Sequence, residues 1–235
     1  MILAIGLENG IEGRSLAYAL DHPGCFAYGA DGGDAIVSLP QAFLKYRDWI
    51  AQHTPDSWLA ELGDFDIRLV DTWQTYSIDN QFDPTDAEGT EINAWFRHDW
   101  KPLSIQDVRR GLILLKWSRA DLLASAAELT PAVLDEQHSG ERRTIRGILA
   151  HVATAEWWYL NRLNLTANLA RSSLPKDPFQ LLDVVRVRLE EVLPEMAGSQ
   201  QVVGIDGQFW SPRKLLRRAL WHELDHVGHI YKLLN

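Results

Sequence analysis

The chain has 235 residues, of which 46% are hydrophobic and 23% are charged, a composition typical of one large or two small globular domains. The formal net charge of −9 disfavours binding to nucleic acid, and the single cysteine, Cys25, excludes an internal disulfide framework. No apolar run reaches transmembrane length and the N-terminal segment is charged too early for a signal peptide, so we expect a cytoplasmic protein without a membrane partner.

The N-terminal part of the sequence predicts a small mixed α/β domain. Between residues 21 and 24 the sequence Asp-His-Pro-Gly is typical of a turn. From residue 35 to residue 51 apolar residues recur at helical spacing. Short apolar or alternating runs predict strands at residues 2–7, 14–20, 25–29 and 66–76.

Residues 21–29, an acidic glycine-containing turn and the helix that begins near Ala35 resemble the HicB-like fold. This resemblance implies a small antitoxin-type domain on part of a ribonuclease H topology, and we assign it residues 1–76. Asp21, Asp31 and Asp34 lie in predicted turns, where aspartate is expected for structural reasons, and we find no carboxylate cluster typical of a nuclease.

The segment that follows is rich in Asp, Asn, Thr and Gly, and we interpret residues 77–95 as a linker or lid. Residues 96–235 are predicted to be helical. Ser104 and Asp107 form a predicted capping box at the first helix, and further helices are predicted from about Thr144, from residues 178 to 196, and from Pro212. Four amphipathic helices predict a four-helix bundle, and the whole chain is therefore predicted to be an α+β protein with two domains.

Basic residues cluster at two of the predicted helix starts. We interpret both clusters mainly as solvated helix faces, with a site for an anionic substrate as the less favoured alternative. The residues are Arg142, Arg143, Arg146, Arg213, Lys214, Arg217 and Arg218.

The last predicted helix carries two histidines within its apolar stripe. His222 and His226 follow the spacing of Leu215, Ala219 and Ile230, so they share a face with these residues. A buried imidazole needs a hydrogen-bond partner or a metal. A single histidine in such a stripe is usually structural, but two at i and i+4 can direct ring nitrogens at one ion, and this pattern favours a metal site.

A catalytic metal site needs a third protein ligand and an open position. His151, on the flank of the second helix's apolar stripe, is the natural choice. His229 lies one turn beyond His226 and could replace His222, and His98 precedes the first helix and could approach the site. The remaining histidines are predicted to be unremarkable surface or turn residues: His22, His53 and His138.

Residues 222–226 also read H-E-x-x-H, the zinc-protease motif. The extended form of that motif would need glycine at position 229 and histidine at position 232, where this chain has His229 and Lys232. We therefore reject the protease interpretation.

Residues 147–159 and 215–226 instead resemble the DinB superfamily, which includes relatives of bacillithiol- and mycothiol-dependent enzymes, and the resemblance extends over about residues 95–235. The metal triad of that family maps onto His151, His222 and His226. The resemblance implies an up-down-down-up bundle, a divalent zinc or nickel ion, frequent homodimers, and hydrolase or thiol-transferase activity on a small-molecule substrate such as a low-molecular-weight thiol.

The leading functional prediction is therefore a metal-dependent hydrolase or thiol transferase. Glu156 and Asp225 are candidate catalytic residues, acting as a general base or through the ligands. Glu223 could act in the same way, but we expect it on a solvated helix face. The alternative is a non-catalytic metal-binding protein whose HicB-like domain contacts a protein or nucleic acid.

Overall fold

The computed structural model describes every residue of the chain except Asp56, Ala87, Glu88 and Asn168. The chain divides into two compact units. The first comprises residues 1–101 and 202–210, and the second comprises residues 102–201 and 211–235. The α+β layout in two parts that the sequence predicts is confirmed, while the first unit extends past the predicted boundary at residue 76.

The main sheet of the first unit has four strands in the order β3-β2-β1-β4. The first three strands are antiparallel neighbours, and β4 pairs with β1 in parallel. A helix, α1, connects β3 to β4, as a parallel pairing requires. The bounds are β1 (Ile2–Ile11), β2 (Arg14–Ala19), β3 (Phe26–Gly29), α1 (Gly32–His53) and β4 (Asp66–Gln74).

Helix α1 begins at a capped N-terminus and covers one face of this sheet. The Asp31 carboxylate accepts a hydrogen bond from the backbone N–H of Asp34 at 3.0 Å, which satisfies a donor that the helix leaves unpaired. Its buried stripe recurs every three or four residues and packs on β1, β2 and β3. The stripe consists of Ala35, Leu39, Phe43, Tyr46 and Ile50.

The segment predicted as a linker is instead structured and belongs to the first unit. It contains a three-stranded sheet of β5 (Tyr76–Ile78), β6 (Pro84–Thr85) and β7 (Thr90–Ile92). A hairpin of β8 (Val203–Ile205) and β9 (Gln208–Trp210) joins it, because the Gln208 amide donates to the Glu91 carbonyl at 3.0 Å. The linker prediction is therefore wrong: strands of two or three residues are too short to show periodicity. Residues 87 and 88 of that segment lie outside the described residues.

The second unit is helical, as predicted. Its helices are α2 (Ile105–Ala126), α3 (Pro131–Leu134), α4 (Ile145–Arg162), α5 (Pro178–Val192) and α6 (Pro212–Leu234). The predicted capping box is present, since Ser104 accepts from the Asp107 N–H and Asp107 accepts from the Ser104 N–H. Helix α6 packs on α2 and α4, and α4 also packs on α5. The up-down-down-up order stays a prediction.

One of the two basic clusters does not lie on a solvated face. Lys214, Arg217 and Arg218 of α6 are 0%, 3% and 6% exposed. The Arg218 guanidinium lies 4.2 Å from the centre of the Trp221 ring, a cation–π contact that offsets part of its desolvation. The sequence interpretation of this cluster is therefore wrong. Within the described residues, no helix combines the length and the apolar character needed to cross a bilayer.

Candidate metal centre

Helices α4 and α6 bring three histidines to one point in the second unit. His222 and His226 are one turn apart on α6, and the contact between α6 and α4 places His151 opposite them. The start of each helix is fixed by a side-chain cap: Thr144 accepts from the Gly147 N–H, and Ser211 accepts from the Lys214 N–H. The spacing on α6 and the register of its packing thus determine the cluster.

The ring nitrogens of the three histidines face one another. The Nε2 atom of His222 lies 3.1 Å from Nε2 of His151 and 3.2 Å from Nε2 of His226. One ligand atom from each residue lies within 4.8 Å of those from the other two. Two nitrogens bound to one tetrahedral zinc ion at about 2.0–2.1 Å would lie about 3.3 Å apart. The cluster therefore fits three ligands of a single divalent ion.

Burial and the neighbouring imidazoles favour the neutral forms of His222 and His226. Burial and the neighbouring His226 and His151 hold the pKa of His222 well below its usual value, and His222 is only 9% exposed. Burial and the neighbours His151 and His229 lower the pKa of His226 to about 3. Metal binding requires neutral imidazole, and the environment supplies this form without any metal.

The outer nitrogen of His226 has no fixed partner. Its Nδ1 atom is buried and has no hydrogen-bond partner among the described residues. This ring therefore lacks the acceptor that usually fixes the tautomer of a metal-binding histidine.

The two alternative ligands from the sequence are engaged elsewhere. The Nε2 atom of His229 lies 3.0 Å from a carboxylate oxygen of Glu141, and its ring stacks on that of His226 with centroids 6.0 Å apart. His98 belongs to the first unit, where its Nε2 atom lies 3.0 Å from a carboxylate oxygen of Asp21. Neither residue belongs to the cluster of three.

The second unit contains a second buried polar cluster, which we call the Arg–Glu network: Arg119, Glu156, Arg186 and Glu223. Glu156 accepts from Arg119 at 2.9 Å and from Arg186 at 2.7 and 2.9 Å. Glu223 accepts from Arg119 at 2.6 Å and from Arg186 at 2.7 Å. The network joins α2, α4, α5 and α6 through two guanidinium and two carboxylate groups.

The remaining contacts of the network bind it to the backbone and to a hydroxyl. Arg119 also donates to the Leu182 carbonyl, and Arg186 to the Leu115 carbonyl. The Ser118 hydroxyl donates to Glu223 at 2.5 Å. Burial opposes ionisation of Glu223, but Arg186 and Arg119 outweigh it and hold its pKa below the usual value. Glu223 is therefore ionised, and every oxygen of Glu156 and Glu223 accepts a hydrogen bond.

This geometry corrects one expectation and qualifies another. Glu223 is 1% exposed, so the prediction of a solvated face is wrong. Glu156 is 3% exposed and both its oxygens accept from arginines, so it holds helices together in this structure. Asp225 is half-buried and directly precedes His226. Catalytic roles for Glu156 and Asp225 stay predictions.

A comparison with known families identifies this part of the chain. Residues 114–230 match the family model of the DinB superfamily. This segment is DinB-like. The match begins within α2, ends within α6 and contains all three clustered histidines, so the DinB-like segment and the candidate site coincide. No curated protein and no solved structure matches the chain.

Proposed function

We propose that the chain is a metal-dependent enzyme of the DinB type, a hydrolase or thiol transferase. Its metal ligands are His151, His222 and His226. The observation that carries this proposal is the cluster of three imidazoles in a DinB-like segment, where Nε2 of His222 lies 3.1 Å from that of His151 and 3.2 Å from that of His226. Three nitrogen ligands suit zinc or nickel and leave coordination positions for a substrate.

The protein's own residues would bind the ion, fix the helices that carry its ligands and accept a proton. When bound, a divalent ion supplies Lewis acidity, which lowers the pKa of a water or thiol ligand. The three histidines hold the ion from two helices, and the buried Arg–Glu network fixes those helices. Asp225 is the carboxylate that we propose as a proton acceptor, since Glu156 is occupied by arginines. The substrate we propose is a small molecule such as a low-molecular-weight thiol.

The first experiment tests the site by metal binding. The metal content of the purified chain is measured, and zinc is then titrated into metal-free protein against a chromophoric chelator. We expect one ion per chain, with affinity at least about 100-fold weaker in His222→Ala and His226→Ala, since even partners of ligands contribute about 10–100-fold. His53→Ala, in the first unit, is the matched control and should bind normally. Equal affinity in all four proteins would exclude this site.

The second experiment tests the reaction separately. The metal-loaded chain is assayed for transfer of small thiols to electrophiles and for hydrolysis of amides and esters. We expect turnover that disappears in His222→Ala together with the metal. In Asp225→Asn, turnover should fall although the metal remains bound. Stoichiometric metal without turnover would favour the alternative, a non-catalytic metal-binding or interaction protein.

We also propose that residues 1–76, which hold the main sheet and α1 of the first unit, form a HicB-like interaction domain. The supporting feature is its topology, with three antiparallel strands, a helix and then a fourth strand parallel to the first. The net charge of −9 favours a protein partner over nucleic acid. Binding of the metal-free chain to duplex DNA or RNA at physiological salt would contradict this choice.

A further inference from the structure

The main sheet of the first unit ends in a long, exposed strand. Strand β4 is nine residues long and lies at the edge of the sheet, whereas β3 at the other edge has four residues. Ile67, Leu69 and Val70 of β4 are 37%, 45% and 36% exposed. Natural sheets usually shorten, charge or cover such an edge, because its unpaired backbone groups invite another strand.

Only the first part of β4 is open to pairing. A bulge between Leu69 and Asp71 interrupts the register with β1. At this bulge Arg97 donates from its side chain to the Val70 carbonyl and from its backbone to the Asp71 carboxylate, both at 2.6 Å. These contacts block the edge from Val70 onward. The open stretch is therefore Asp66–Leu69, with Phe65 before it.

The backbone of this stretch presents alternate residues outward. The Asp66 N–H donates to the Met1 carbonyl, so it points towards β1. Because successive residues of a strand alternate in direction, the N–H and C=O groups of Ile67 and Leu69 point away from the sheet. The side chains alternate as well: Phe65 packs on Phe43 of α1, which places Ile67 and Leu69 on the α1 face. Asp66 and Arg68 lie on the opposite face.

The exposed stretch of β4 in one copy is complementary to the same stretch in a second copy when a two-fold axis relates them at Ile67. An antiparallel pair of identical strands in one sheet must align residues that share a face. With the axis at Ile67, Asp66 of each copy lies opposite Arg68 of the other, while an axis at Arg68 would oppose two arginines. The same register aligns the outward backbone groups of Ile67 with those of its own copy, and Leu69 with Phe65.

We propose that the chain forms a homodimer by antiparallel pairing of β4 with β4 of a second copy, centred on Ile67. Two reciprocal Asp66–Arg68 ion pairs lie on one face of the joined sheet. An apolar cluster of Phe65, Ile67 and Leu69 from both copies lies on the other. Both charged side chains are exposed, and no salt bridge among the described residues occupies them. Directly opposed charges and apolar pairs each stabilise a sheet, and like charges destabilise it.

The proposal is tested by sedimentation velocity of the full chain over a range of concentrations, in four variants. Arg68→Asp opposes two pairs of carboxylates and Asp66→Arg opposes two pairs of guanidinium groups, so each should weaken dimerisation at least about tenfold. The double variant, Asp66→Arg with Arg68→Asp, restores the pairs in reverse and should recover most of the affinity. Arg109→Asp makes the same charge change on an exposed residue of α2 and should have no effect.

The double variant separates pairing from folding, because a fold damaged by one charge reversal would not be repaired by a second. Circular dichroism of each variant checks that the secondary structure persists. A wild-type chain that is monomeric at about 100 μM would overturn the proposal. A dimer that neither single reversal weakens would overturn it as well, since that dimer would use another surface. These outcomes do not depend on the metal or on activity.

Discussion

The second unit buries two polar clusters, and the two differ in how their polar groups find partners away from water. In the Arg–Glu network two cations meet two anions, and every carboxylate oxygen accepts at least one hydrogen bond. In the histidine triad three imidazoles bring the same kind of atom together, and burial and the neighbouring rings lower the pKa of His222 and of His226. The network is complete without a ligand, whereas the triad has converging lone pairs that a cation would satisfy. Burial alone therefore does not mark a functional site.

The largest expected effect is on the network. Glu223→Ala leaves the guanidinium groups of Arg119 and Arg186 buried with half their negative partners removed. Loss of one partner from a buried ion pair costs about 3–5 kcal/mol, because an uncompensated charge remains. We expect that loss in the free energy of unfolding measured with urea on the metal-free chain.

Glu190→Ala provides the matched control for this measurement. Glu190 lies on the exposed face of α5, and its replacement should change stability by less than about 0.5 kcal/mol. If both variants lost the same stability, the network would contribute nothing beyond an ordinary surface residue, and the contrast with the triad would fail.

The next expected effect distinguishes the clusters by pH. The pKa of His226 is about 3 in the folded chain against an ordinary value of 6.5, so the unfolded chain takes up a proton on this ring first as pH falls. Its contribution to stability is present above about pH 6.5 and is lost as pH falls towards 3. Between these limits, this ring should lower the free energy of unfolding of the metal-free chain by at most about 1.4 kcal/mol per pH unit.

The measurement is urea unfolding of the metal-free chain at several pH values from 7 to 4.5, beside the His226→Ala variant. The variant should show a shallower slope, since one of the buried neutral rings is gone while His222 remains. Parallel slopes in the two proteins would show that His226 titrates normally and that burial does not perturb it.

The sequence predicted the triad but not the network, because local spacing indicates the triad whereas the network depends on contacts between distant parts of the chain. His222 and His226 share a stripe because of the helical period alone, and His151 was chosen from its place on the flank of another helix's stripe and agreed with the family resemblance. The network needs charges from four helices, and no local pattern shows which ones meet. A signal was nevertheless present: Arg186 lies four residues after Leu182 and three before Leu189, within a buried stripe.

The same physical reason explains the results for the fold. Helices with caps and long stripes, such as the one that begins after Ser104, were predicted to within a few residues, because each turn repeats the signal. Strand β1 was found but extends to Ile11 instead of ending at Leu7. Strands β5, β6 and β7 were missed because their stability comes from pairing with one another, and a run of two or three residues carries no period.

The smallest expected effect is that of the metal on folding, and it tests whether the triad is a binding site in a finished fold. The stripes of α2, α4, α5 and α6 are apolar and buried without the ion, and the Arg–Glu network already joins these helices. His226→Ala should therefore change the stability of the metal-free chain by less than about 1 kcal/mol, or raise it, because it removes a buried nitrogen that has no partner.

Thermal melts would be recorded for the wild-type chain with zinc and with chelator, and for the variant with chelator. We expect the chelator to lower the wild-type melting temperature by a few degrees, as mass action requires when only the folded state binds the ion. The variant should melt close to the chelated wild type and should not respond to zinc. Complete unfolding of the wild type by chelator would instead show that the ion holds the fold, as in a zinc finger. The triad would then be a structural site, and the contrast with the self-sufficient network would disappear.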